Sequence, residues 1–491
     1  MLNRIIGFSV HNKLIIALFT LFLVSYGVYQ LTKLPIDAVP DITNNQVQVI
    51  TVSPSLGAPD VERFITFPLE QALSNIPGKL EIRSFSRFGL SLVTIVFDDK
   101  TDVYWARNQV SERLQTAKEL IPPGAGVPEL GPVTTGLGEI YQYVLRPKPG
   151  FENKYNAQEL RTMQDWIVRR QLLGVEGVAD VSSFGGFLKQ YEVEIDPNRL
   201  KASGLGVNEV YAALETNNQN AGGSYIERGP KVLFIRSEGL IKSAADIEQI
   251  VVKELPNGSP IFIRDIAKVT IGNATRFGAM VYNNQEEVAG AVVMMLKGAN
   301  SNVVIKKVKE RIAKIQETMP EGVQIDAFLD RTKMVNNAIG TVETNLMEGA
   351  LIVIFILVLF LGNVRAGLLV ASVIPLSMLF AVIMMNAFGV SGNLMSLGAL
   401  DFGLIVDGAV IIVEAVMHTI THSRRFNKIA DLSQKKMDTE VKHAAGKMMN
   451  SAVFGQLIIL IVYLPIFSLE GIEGKMFKPM AQTVAFALLG A

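Results

Sequence analysis

Three carboxylates interrupt a stretch of chain that is otherwise apolar and uncharged. The segment Gly398 to Glu414 carries Asp401, Asp407 and Glu414 and no other charge, and it follows a run of 35 residues, Ala366 to Leu400, that has none. Such a side chain at membrane depth costs roughly 2.5–3.5 kcal/mol on insertion scales, and its common uses are proton relays and ion pathways. At about 100° per residue, Asp407 and Glu414 return to within about 20° of one another, two turns apart on one stripe, and Asp401 lies off that stripe. Gly403, Gly408 and Ala409 leave room beside Asp407 for a neighbouring helix to approach. The alternative use, pairing with a cation across a bundle, has no internal partner in the sequence, because no Lys or Arg falls inside an apolar span.

The rest of the hydropathy pattern places that helix among others. Leu14 to Thr32 is a 19-residue uncharged run, enough for one span. No small-residue cleavage site closes it, so it reads as an anchor and not as a removable signal. Further spans are read at 345–364, 366–388, 394–417 and 449–469, with Pro375 expected to kink the third, and Pro479 to Ala491 begins a sixth. The odd count of complete spans, and acids without partners, lead to the expectation that this is the N-terminal part of a larger protein. Arg4 and Lys13 precede the first span, and the loop 418–447 is rich in Lys and Arg. The positive-inside rule then puts both on the inner side and the long segment 33–344 outside, in the periplasm of a Gram-negative cell.

Composition removes several function classes. Formal net charge is zero, so no basic surface argues for nucleic acid. Cysteine is absent, which removes disulfides, thiolate metal sites and cysteine nucleophiles. The four histidines, His11, His418, His422 and His443, all fall near inner helix ends. A metal site in the outer segment must therefore use oxygen or methionine sulfur. There is no Gly-rich nucleotide loop with its lysine, so ATP is not expected to drive the protein, and no spacing suggests an enzyme.

The outer segment alternates strands and helices. Val47 to Val52 alternates as a half-buried strand. Ala58 to Ile76 reads as an amphipathic helix, Glu81–Phe88 and Ser91–Phe97 as a hairpin, and 102–120 as a helix capped by Thr101 or Asp102. A returning strand at Tyr141–Leu145 would close a split β-α-β-β-α-β unit. A second unit begins near Tyr141, with a helix at 157–173 and a strand at 178–184, and is completed far downstream by a strand at Glu287–Leu296, a helix at Asn302–Thr318 and a strand at Val323–Phe328. Between its halves, 185–275 reads as an insertion. It holds a strand, a helix and a polar Gly-rich excursion from Asn217 to Pro230, read either as a surface loop or as a tether to a neighbouring subunit.

These residues resemble a known family. Leu34-Pro-Ile-Asp-Ala-Val-Pro-Asp-Ile, Gly136-Leu-Gly-Glu-Ile-Tyr-Gln-Tyr, Gly222-Gly-Ser-Tyr-Ile-Glu-Arg-Gly, Asp401-Phe-Gly-Leu-Ile-Val-Asp-Gly-Ala and Glu470-Gly-Ile-Glu-Gly-Lys-Met-Phe are similar to signatures of the N-terminal half of resistance-nodulation-division (RND) transporters, in the heavy-metal-efflux branch. The resemblance spans the whole chain. It implies a membrane α-helical bundle plus a periplasmic α+β part, with ferredoxin-like porter subdomains and an inserted docking subdomain. The implied divisions are a first membrane helix in 1–33, porter subdomain 1 in 34–140, porter subdomain 2 in 141–184 and 276–332, the docking insertion in 185–275, and membrane helices two to six in 333–491. It also implies an inner-membrane homotrimer that works with a periplasmic adaptor and an outer-membrane channel. No cofactor is implied beyond the transported cation and protons.

Residue roles follow from the same resemblance. Asp407, Asp401 and Glu414 would relay protons, and Tyr225 and Arg228 would dock into the next subunit. Glu139 and Asp165 align with carboxylates near the cleft of zinc-exporting relatives, and oxygen ligands suit borderline divalent ions. The spacing of acids on the fourth helix looks like the divalent (cobalt, zinc, cadmium) subgroup. Ala415 departs from the family's usual asparagine. The competing readings are a copper/silver pump, a drug or hydrophobe pump of the same superfamily, and an inactive truncated product. A methionine relay through residues such as Met384, Met385, Met448 and Met449 belongs to the copper/silver reading; methionine in such spans otherwise serves as adaptable packing.

Overall fold

The computed structural model describes residues 2–37, 39–256, 258–276, 278–284, 286–398, 400, 402–421 and 433–491. Asp401, and His422, Arg424, Arg425 and Lys428 of the loop 418–447, lie outside the described residues.

A first sheet forms from β1 (Asn45–Val52), β2 (Lys79–Arg87), β3 (Leu90–Phe97) and β4 (Pro128–Leu130), in the spatial order β2-β3-β1-β4 and antiparallel throughout. The alternation of β1 puts Val47 and Val49 inward, opposite Ile95 and Val93. The helical segment 58–73 covers them with Val61, Ile65, Leu69 and Leu73. A strict four-residue repeat drifts about 40° per step on an α-helix. The π-turn at Glu62–Thr66 widens the helix and brings the stripe back over the sheet. A second helix, Val103–Leu120, adds Ala106, Val110, Leu114 and Ala117, and starts where Asp102 accepts a 2.7 Å bond from the Trp105 N–H. Asp102 is thus the cap. The closing strand is β4 and not Tyr141–Leu145. That segment belongs to the next sheet, where its apolar residues are buried on both faces.

The second sheet repeats the order as β14-β5-β13-β6. It comprises β5 (Glu139–Pro147), the helical segment 157–172, β6 (Val178–Gly185), then β13 (Ala289–Met295), the helix Ser301–Thr318 and β14 (Val323–Asp330). Its core contains a polar chain: the Tyr143 hydroxyl donates to Gln164 Oε1 at 2.9 Å, and Gln164 Nε2 donates to Ser183 Oγ at 3.2 Å. Both Tyr143 and Gln164 are fully buried, so each polar atom needs such a partner. Between β6 and β13 lies the insertion, with β7 (Lys189–Ile195), β8 (Ala221–Arg228), β9 (Lys231–Ser237), β10 (Val251–Glu254), β11 (Pro260–Phe262) and β12 (Ala267–Asn273). β12 pairs with β7, and a small core around Val210, Ile247, Ile263 and Ile266 holds the insertion together. The polar excursion is a β-hairpin: β8 pairs with β9 around Gly229, which turns at φ +64°.

Among the described residues, five helical stretches are long and apolar enough to cross a membrane: Lys13–Leu31, Arg331–Leu361, Val364–Ala387, Leu394–Thr421 and Gln434–Ser468. The second starts at Arg331, well before the expected 345, because it runs straight out of β14 with Asp330 as its cap, accepting from the Thr332 N–H at 3.0 Å. The third is interrupted at Ser372, just ahead of Pro375, whose missing N–H and ring break the helical ladder. A last helix, Gly471–Gly490, contains Pro479 and begins ahead of it, not at it. It packs on Val373–Ala387, where Gly490 lies against Phe380. On the other side, Gly27 brings the first helix against Leu379. A Cβ at Gly27 would stand 2.7 Å from that of Leu379, so only glycine permits this approach.

Candidate functional site

The helix Phe402–Thr421 buries Phe402, Ile405 and Val406 against the bundle. Its opposite face is exposed at Gly403, Asp407, Glu414 and His418. Asp407 and Glu414 therefore do share a stripe, about 10 Å apart along the axis, and that stripe points away from the packed side. Among the described residues, neither carboxylate takes part in a hydrogen bond or ion pair. Gly408 is where a neighbour comes close: Gln456, on the adjoining helix Gln434–Tyr463, would lie 3.7 Å from a Cβ built there. Gln456 Nε2 donates to Leu404 O at 3.1 Å, while its Oε1 is buried with no partner among the described residues. The sequence reading gives Gln456 no role. The signal was present, as an amide inside the apolar run 449–469, but a neutral side chain attracts less notice than a charge.

The other site residues fall apart in space. Glu139 opens β5, exposed, and accepts from Gln142 Nε2 at 3.0 Å. Asp165 lies in the π-turn of the 157–172 segment and is held by Arg161 Nε at 2.8 Å. Arg161 also donates to Gly185 O at 2.8 Å, tying helix to strand. No group of three or more His, Cys, Asp or Glu able to hold one metal ion occurs among the described residues. Tyr225 and Arg228 are on the exposed hairpin, across from Phe234 and Lys231. Tyr225 is 54% exposed and Phe234 83%.

The membrane-side end of the sheets carries a denser set of charges. Arg331, 8% exposed, lies with Nη2 at 3.1 Å from Asp37 Oδ1 and donates through Nη1 to the carbonyl of Leu137. Burial pushes the Asp37 carboxyl up, and Arg331 and Ser301 oppose that shift. The linker carrying Asp37 is pinned by a short parallel bridge, Asp37 N–H to Gly392 O at 3.0 Å and Gly392 N–H to Pro35 O at 2.9 Å. Lys475 of the last helix stands 2.8 Å from Asp99.

Residues 5–491 match the model of the AcrB/AcrD/AcrF family. The chain is 47% identical to protein HelA of Legionella pneumophila over 494 residues, all of this chain and 46% of HelA. It is 47% identical to the cobalt-zinc-cadmium resistance protein CzcA of Cupriavidus metallidurans, again over all of this chain and 46% of that protein. A crystal structure of a heavy metal efflux pump superposes with a TM-score of 0.86 at 35% identity, covering 99% of this chain and 47% of that one. The chain spans about half the length of the curated relatives it matches. With two sheets of like topology beside a bundle of apolar helices, and with a family match over nearly its whole length, this chain belongs to the AcrB/AcrD/AcrF family.

Proposed function

We propose that the chain is half of the inner-membrane pump of a tripartite RND system that exports divalent heavy-metal cations in exchange for protons. The observation that carries the reading is the Asp407–Glu414 stripe, two unpartnered carboxylates on the outward face of a helix of membrane length. Facing lipid, each would carry the full cost of an intramembrane charge. Facing a second bank of helices, they can take up and release protons, with Asp407 as the main carrier. Asp401 would join them in the relay. The divalent cargo is supported by 47% identity to a protein named for cobalt, zinc and cadmium resistance.

The two β-α-β-β-α-β units would act as porter subdomains and the insertion as a docking subdomain. An isolated two-stranded hairpin is marginal in water, and this one exposes Ile226, Leu233 and Phe234. Such a surface is suited to burial against the next protomer of a homotrimer, through Tyr225 and Arg228, with a periplasmic adaptor and an outer-membrane channel completing the assembly. Glu139 and Asp165 are proposed cargo contacts, Asp165 only when Arg161 lets it go. The test is complementation of a metal-sensitive strain with the full-length gene. Wild type is expected to restore growth on zinc, cobalt or cadmium. Asp407→Asn, inserted at normal levels, should abolish that rescue. Full rescue by the variant would remove Asp407 from the proton path, and rescue by wild type on copper and silver alone would overturn the divalent assignment.

A further inference from the structure

The motif Glu470 to Phe477 plays no part in the carboxylate stripe, yet it bonds the last helix to the segments that flank the first sheet. Lys475 projects from the first turns of Gly471–Gly490, with its side chain only 18% exposed. Its ammonium lies 2.8 Å from Asp99 Oδ1, donates to Thr43 O at 3.0 Å and reaches Asn44 Oδ1 at 3.5 Å. An ammonium has three donors, and all three acceptors here belong to the first β-α-β-β-α-β unit: Thr43 and Asn44 lead into β1, and Asp99 follows β3. Gly474 lets the turn into this helix close tightly, since a Cβ there would stand 2.6 Å from Leu469 O.

A second lysine meets the same corner from the other unit. Lys297, just after β13, donates to Asn45 Oδ1 at 3.1 Å. Asn45 in turn donates to the carbonyls of Asp98, at 3.2 Å, and Thr101, at 2.5 Å. Burial lowers the Lys297 pKa and the nearby Lys475 lowers it further, while Asp41 and Asp99 hold it up. Two cations thus share one set of acids. Beside them opens a cleft of about 1060 Å³, walled by both units and by the last helix. Asp99 is 52% exposed toward solvent, and an ion pair with a half-exposed member opens at little cost.

We propose that Lys475 is the positioning residue through which the last helix moves the first β-α-β-β-α-β unit, its contact with Asp99 breaking and re-forming in each transport cycle. The second unit needs no such device, because β14 continues directly into Arg331–Leu361. The inference rests on the transport reading above.

The experiment uses the full-length protein reconstituted under a proton gradient. Lys475→Met is expected to lower metal turnover about tenfold, within the range of coupling-residue effects, with KM unchanged. Asp99→Asn should do the same, the double variant should be no worse than either single one, and Lys475→Arg should retain turnover. In a cysteine-free background, Lys478→Cys with Lys100→Cys, both on the cleft wall, can be bridged by a cleavable bis-thiol reagent that spans the resting cleft. Bridging should stop turnover and cleavage should restore it. Wild-type turnover in Lys475→Met, or in the bridged protein, overturns the proposal. Hydrogen exchange judges the contact apart from transport: residues 43–45 and 98–101 should lose protection in Lys475→Met, and unchanged protection overturns the contact. A wild-type protein that moves no metal defeats the transport reading instead.

Discussion

The two β-α-β-β-α-β units share one strand order and differ in how they are held. The second is continuous with a membrane-length helix: β14 ends at Asp330, Asp330 caps the helix, and Arg331 is buried in the joint. The first is joined to the helices by the linker 32–44, by the Lys475 side chain and by the backbone bridge at Asp37–Gly392. Their interiors differ as well. The second encloses the Tyr143–Gln164–Ser183 chain across strand, helix and strand. The first encloses a hydroxyl cluster in which Thr66 Oγ1 meets Ser86 and Ser91, each at 2.7 Å. Equal topology therefore does not mean equal rigidity. The second unit is built to follow the bundle, and the first to be moved relative to it.

The sharpest way to break this contrast is at the joint of the second unit. Arg331→Met removes a buried cation and leaves Asp37, itself 26% exposed, without its partner. Truncating one member of a buried pair costs about 3 kcal/mol, so a clear drop in the melting temperature of the full-length protein is expected at neutral pH. A melting temperature equal to wild type would mean that the fused helix alone holds the unit.

A smaller effect separates the two interiors. Gln164→Leu strands the Tyr143 hydroxyl in the core and should cost about 2 kcal/mol, the usual penalty for an unmet buried donor. Thr66→Val strands the buried Ser91 hydroxyl but not Ser86, which is half-buried and can turn to water, and should cost about 1 kcal/mol, the low end of the same penalty. Melting curves of both variants settle the order. Equal losses would remove the claim that the second interior is the more committed.

Sequence periodicity reached the parts of this fold that repeat locally. The carboxylate stripe and most strands of both sheets follow from spacing and residue type, and the same signals narrow the helix cap to Thr101 or Asp102. What it missed depends on contacts between distant segments. Pro128–Leu130 is too short and too Pro-bound to read as a strand, and only pairing with β1 makes it one. Hydropathy located the apolar core of Arg331–Leu361 but not its polar first turns, whose helicity is set by the cap at Asp330. For the same reason Lys475 falls outside the apolar run begun at Pro479, and its partners Thr43 and Asp99 are hundreds of residues away. Glu139 and Asp165 were legible as carboxylates. Their present partners, Gln142 and Arg161, follow from the register of β5 and from helical i,i+4 spacing.

The least effect, and the finest test of the joint, is its response to acid. Two carboxyls there are shifted in opposite directions from the ordinary aspartate value of 3.8. Burial raises Asp37, against the pull of Arg331. Burial also works to raise Asp330, but Lys309 at 2.5 Å and the bonds from Thr332 outweigh it and hold that carboxyl low. For Asp37 the folded protein binds its proton before the unfolded chain does, so its contribution is present below 3.8 and is lost as pH rises through the raised value. For Asp330 the unfolded chain binds first, so its contribution is present above 3.8 and is lost as pH falls through the lowered value. Melting temperatures of the full-length protein, taken stepwise from about pH 6 to about pH 3, should show the two arms on either side of that point. Asp37→Asn should flatten only the upper arm. Asp330→Asn, which keeps a competent helix cap, should flatten only the lower one. If both substitutions flatten the same arm, the two carboxyls titrate as one group, and the joint is a single ionic cluster in place of a fused helix with a separate pinned linker.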